Sequence, residues 1–125
     1  MDLDVLILNE DTWWDDYSQQ KFPLIILTLT NNNVSFIDVF MLAASRLCER
    51  AEFILRLDKG LFTPEQLIDA ANIFCFKLLT NKQQLATQYV FRFDGKVTKS
   101  GYQMAQASSY SDSCQALFEN VSRGP

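Results

Sequence analysis

The chain has no histidine, and only three cysteines, three prolines and four glycines in 125 residues. Without an imidazole, neither a Cys–His nucleophile nor a His-containing zinc site can be assembled from this chain. Cys48, Cys75 and Cys114 are widely spaced with no C-x-x-C pair, which excludes a disulfide scaffold and points to buried, reduced thiols. The shortage of glycine and proline rules out a collagen-like or low-complexity chain. Long apolar runs are also missing. The most apolar stretch, Leu24 to Leu27, falls far short of the ~20 residues that span a bilayer. The start, Met1-Asp2-Leu3-Asp4, lacks the basic leader of a secretory signal. A cytoplasmic protein without membrane contact is the expectation.

What is present suits an ordinary globular protein: 48% hydrophobic and 21% charged residues. The length fits a single domain over residues 1–125, with enough buried surface to need no staple. The formal net charge is −4, and its distribution is uneven. Asp2, Asp4, Glu10, Asp11, Asp15 and Asp16 precede the first basic residue, Lys21, so the first twenty positions carry −6. Eleven basic against nine acidic residues give the rest of the chain +2. Nucleic-acid binding requires clustered Lys and Arg, so a basic protein is the expected partner and nucleic acid is not.

Residues 2–8 alternate as a strand that begins at an edge and ends buried on both sides. Asn9 to Gln20 reads as a short helix capped by Asp11 or Thr12. Leu24 to Thr30 reads as a buried strand closed by Asn31-Asn32-Asn33. Ser35 then caps a long helix, its apolar stripe running from Phe36 through Phe40, Leu47 and Ala51 to Ile54, ending near Asp58-Lys59-Gly60. On that reading Arg46, Arg50 and Arg56 share its exposed face. Thr63-Pro64-Glu65-Gln66 is a capping box that opens a second helix to about Leu79. Gln88 to Phe93 and Lys96 to Lys99 form a hairpin about Asp94-Gly95. Residues 100–113 read as a polar loop or weak helix, a segment free to be mobile, before a terminal amphipathic turn through Leu117, Phe118 and Val121. The implied fold class is α+β: a small sheet of N-terminal strands plus a C-terminal hairpin, packed on two central helices.

One constellation stands out. Glu10, Asp11, Asp15 and Asp16 surround Trp13, Trp14 and Tyr17. Indole and phenol rings supply large desolvated anchors, while carboxylates steer a basic partner into register. No glycine-rich phosphate loop, nucleophile elbow or metal spacing accompanies them, so neither an enzyme nor a cofactor is expected. The reading is a small acidic protein-binding inhibitor, of the immunity or antitoxin kind, that occludes the basic site of a partner toxin or enzyme. Two alternatives remain open. One is a dimeric chaperone or adaptor for a secreted effector, a homodimer formed through the apolar flank at Ile73 and Phe76, beside Phe53 and Leu42. The other is a DNA-mimic inhibitor of a nucleic-acid enzyme.

Overall fold

Between Phe36 and Leu57 the apolar positions fit a helical period and a strand period at the same time. The computed structural model describes residues 5–12, 20–31, 35–58, 63–79 and 87–109. In it the chain runs β1 (Val5–Asn9), β2 (Phe22–Leu29), α1 (Phe36–Arg46), β3 (Leu47–Leu57), α2 (Pro64–Ile73), β4 (Phe76–Leu78), β5 (Gln88–Phe93) and α3 (Lys99–Ala107). The expected helix from Ser35 to Asp58 is therefore corrected beyond Arg46. Ala51, Phe53, Leu55 and Leu57 alternate with Glu52, Ile54 and Arg56, and only a strand turns the first set to one side. Ladder pairing on both edges of β3 overrides the helical stripe, since tertiary context outweighs weak local propensity.

The fold is α+β, built on a mixed five-stranded sheet of order β1-β2-β3-β5-β4. β1, β2 and β3 are parallel, whereas β5 runs antiparallel to both β3 and β4. One face holds Leu6 and Leu8, Ile25, Leu27 and Leu29, Phe53 and Leu55, Phe91 and Phe93, and Phe76, all buried. α1 covers this face through Phe40, whose ring meets Phe53, Phe76 and Phe91 edge-on at centroid distances of 5.6, 5.1 and 5.0 Å. α2 packs beside α1. α3 docks on the end of α2, with the Thr98 hydroxyl donating to the Ile73 carbonyl at 2.6 Å and accepting from Gly101 N–H at 3.0 Å.

The capping box forms as the sequence implies. Thr63 Oγ1 accepts from Gln66 N–H at 3.4 Å, and Gln66 Oε1 accepts from Thr63 N–H at 3.2 Å. The helix it opens stops at Ile73, not Leu79. Cys75 takes φ +60°, which breaks the helical path, and Phe76 then enters the sheet among the rings of Phe40, Phe53 and Phe93. The hairpin is also corrected. Asp94-Gly95 does turn the chain, but into α3; the antiparallel partners of β5 are β3 and β4. Gly95 has φ +92°, and a Cβ there would come within 2.5 Å of the Glu49 side chain.

Of the loop and the weak helix that the sequence allows there, Lys99–Ala107 is helix, while residues 110–113 and the expected terminal turn lie outside the described residues. β1 is an edge strand buried on one side only, with Ile7 71% exposed, because among the described residues no further strand or helix lies over it. A bulge in β3 sets two residues of β2, Phe22 and Leu24, against Leu47 and Glu52. Arg50 at its tip has φ +66°. Among the described residues no helix is long and apolar enough to cross a membrane.

Candidate functional site

The carboxyl ends of the parallel strands gather the polar side chains that sequence reading singled out nearest the amino terminus. After β1 the chain turns on itself at once. Asn9 N–H donates to Thr12 Oγ1 at 2.9 Å, Asp11 N–H donates to Asn9 Oδ1 at 2.8 Å, and Thr12 N–H donates to the Asn9 carbonyl at 3.1 Å. Asparagine folds back on its own backbone in this way because its short amide reaches two residues on. Residues 9–12 are thus a side-chain-locked turn, and the helix expected beyond a cap at Asp11 or Thr12 lies outside the described residues.

Glu10 is drawn across to the neighbouring strand end. Its carboxylate accepts from Thr30 N–H at 2.5 Å through Oε2 and from the Thr30 hydroxyl at 2.8 Å through Oε1. The backbone bond from Thr30, and then its hydroxyl, hold the Glu10 carboxyl below its ordinary pKa. A lowered carboxylate pKa stabilises the fold at pH values above the ordinary glutamate range. That contribution is lost as pH falls through the depressed folded value. Glu10→Gln is expected to cost about 1 kcal/mol at neutral pH, given a charge-assisted bond at a wet site. Urea midpoints of the two proteins should converge as the solution is acidified. A gap that persists undiminished in acid would mean that the clamp does not depend on the charge.

Asp11 is exposed beside this clamp. Trp13, Trp14, Asp15, Asp16 and Tyr17, the remainder of the acidic-aromatic candidate, lie outside the described residues. Along the same sheet edge, Asp58 N–H donates to the Leu29 carbonyl at 3.2 Å. A shallow depression of about 290 Å³ is lined there by Thr28, Arg56, Leu57, Asp58, Thr87 and Gln88, with Arg56 Nε donating to Gln88 Oε1 at 3.1 Å. In open sheets with parallel strands, the carboxyl ends are where ligands meet the fold.

Four residues that sequence reading set on exposed surface, Phe76, Phe53, Leu42 and Arg46, are inside. Phe76 is only 3% exposed, a core ring of β4, and Phe53 and Leu42 are buried with it. Ile73 is half-buried and packs on the same core. The apolar flank proposed for a homodimer at Ile73 and Phe76 is therefore filled by the protein's own sheet, because the second helix ends three residues before Phe76. Arg46 is 1% exposed at the end of α1. It lines a void of about 10 Å³ with Leu8, Ile25, Leu27, Val39, Leu42, Ala43 and Phe53, room for roughly one water. It shares no exposed face with Arg50 and Arg56, and Tyr89, Phe91 and Phe93 are core.

Cys48 and Cys75 are half-buried free thiols. Burial first, and then the Asp94 carboxylate, push the Cys75 thiol above its ordinary pKa, which makes it a poor nucleophile. Among the described residues, no group of three His, Cys, Asp or Glu side chains is placed to hold a metal ion.

Sequence reading missed Thr30, since its role depends on strand register, and Arg46 as a buried cation. Comparison with protein families, curated proteins and solved structures found no match.

Proposed function

We propose that this protein works by binding another protein, as an acidic inhibitor that covers the basic site of a partner toxin or enzyme. The observation that supports the reading is where the acid-rich connection starts. It leaves the carboxyl edge of the sheet from a locked turn, with Glu10 tied to Thr30 and Asp11 facing water. A fixed departure point lets closely following carboxylates act as a localised negative field, and such fields raise association rates with basic partners. Trp13, Trp14 and Tyr17 follow within a few residues and supply the anchors that slow dissociation. Glu10 serves the fold and leaves Asp11, Asp15 and Asp16 for the partner. Carboxylates concentrated in sequence between positions 10 and 16 suit a compact basic site better than the long phosphate track a DNA mimic must copy.

The test is retention of a host protein on the immobilised chain at low salt. The expected partner is basic, elutes as salt rises, and is not held by Asp15→Lys with Asp16→Lys. Once it is in hand, that double variant should slow association at least tenfold, the order reached by electrostatic steering. Trp13→Ala or Trp14→Ala should raise the dissociation rate with the circular dichroism unchanged. A partner held equally by the charge-reversed chain would overturn the electrostatic mechanism. Tryptophan variants that unfold would place those rings in the core and remove the anchors.

A further inference from the structure

The face of the sheet opposite α1 carries a row of apolar side chains that crosses every strand. Register aligns Ile7 with Ile26, Ile26 with Ile54 and Ile54 with Val90. Leu79 N–H donates to the Val90 carbonyl at 2.7 Å, which carries the row on past the end of β4. Five strands at ~4.8 Å spacing make this stripe roughly 19 Å long. Its two ends, Ile7 at 71% and Leu79 at 38%, are exposed, and its three inner members are half-buried. Isolated apolar side chains on a surface need no explanation, but a contiguous stripe marks an interaction surface.

The margins indicate what fits. On one side of the stripe the row runs Val5, Leu24, Glu52, Arg92 and Lys77, apolar over β1 and β2 and charged over the other strands, with Glu52 and Arg92 paired at 3.6 Å; on the other lie Asn9, Thr28, Arg56 and Gln88. Glu52 and Arg56 stand on the central strand β3, two residues before and two after Ile54. A two-fold axis along the stripe through Ile54 sets stripe on stripe. It also places each Glu52 against the Arg56 of a second copy, so the surface complements itself in both shape and charge.

We infer that this face is an isologous homodimer interface, with Ile54 at the two-fold axis and two Glu52–Arg56 pairs beside it. The face measures on the order of 500 Å² per copy, below the ~800 Å² of a standard interface, so the dimer is a weak one that dissociates at micromolar concentration or above. It leaves the strand ends at Glu10 and Asp11 uncovered, and it neither requires nor excludes the binding role proposed above.

The experiment is sedimentation over a concentration series. The wild-type chain is expected to show a monomer–dimer equilibrium. Glu52→Arg sets arginine against Arg56 across the axis, and Arg56→Glu sets glutamate against Glu52; each alone should weaken the dimer at least tenfold. Mixing the two variants in equal amounts restores opposite charges at both pairs, so the mixture should dimerise more tightly than either alone. Ile7→Lys, at an exposed edge position that the fold tolerates, should weaken the dimer without lowering the urea midpoint. A wild-type chain that stays monomeric up to about 1 mM, a concentration that populates even weak dimers, overturns the inference and leaves the stripe to a different protein or to residues 110–125. A dimer indifferent to all of these changes overturns it equally, because the copies then meet elsewhere.

Discussion

Phe40→Ala is expected to destabilise the protein by about 3–5 kcal/mol, a large part of the ~5–15 kcal/mol that holds a domain together. The ring is fully buried on α1 and meets three others edge-on: Phe53 of β3, Phe91 of β5 and Phe76 of β4. Edge-on aromatic pairs add ~0.5–1.5 kcal/mol each beyond the area they bury. Phe76 also touches Phe53 and Phe93, so removing Phe40 opens a space that its neighbours cannot close without giving up their own contacts. Phe40→Leu fills most of the volume and should cost less, about 1–2 kcal/mol. Urea unfolding at neutral pH measures both. A Phe40→Leu protein as stable as the wild type would mean that the aromatic geometry contributes nothing beyond volume.

The same cluster explains which parts of the fold were legible in the sequence. The strand at 22–29 and the strand at 88–93 stood out because β-branched and aromatic residues occur there in short runs bounded by turn residues. The capping box at Thr63 stood out because its chemistry is local. β3 did not, since Leu47, Ala51 and Ile54 satisfy a helical stripe as well as a strand, and the deciding term is pairing with β2 and β5, both distant in sequence. β4 was hidden for a related reason. Three residues are too few to show a period, and Cys75 at positive φ is unmarked by any glycine. At the candidate site the acidic character of residues 10–16 is plain from composition, whereas the bond from Thr30 to Glu10 follows only from the parallel register of β1 and β2. Apolar residues on both faces of the strands were also read as burial on both sides. The stripe through Ile7, Ile26 and Ile54 shows that one of those faces is only partly covered.

Arg46 is the other position where a single substitution should be severe. Arginine is among the residues least often fully buried, because taking a guanidinium out of water is costly unless opposite charge or acceptors stay close. Here it closes the last turn of α1, where the aligned backbone carbonyls favour a cation, and its stem lies among Leu8, Ile25, Leu27 and Phe53. Two contributions are therefore combined, packing of the stem and satisfaction of the charge, and three variants separate them. Arg46→Met keeps most of the volume and removes the charge; Arg46→Lys keeps the charge and loses the planar fork; Arg46→Ala loses both volume and charge. Removing one partner from a buried polar arrangement costs ~3–5 kcal/mol, so Met is expected to lose about 3 kcal/mol, Lys about half that, and Ala the most. If Arg46→Met were as stable as the wild-type protein in urea, only the aliphatic stem would matter. The strand-and-helix junction at Leu47 would then be held by packing alone, with no electrostatic contribution at the point where the helical reading of the sequence gives way to a strand.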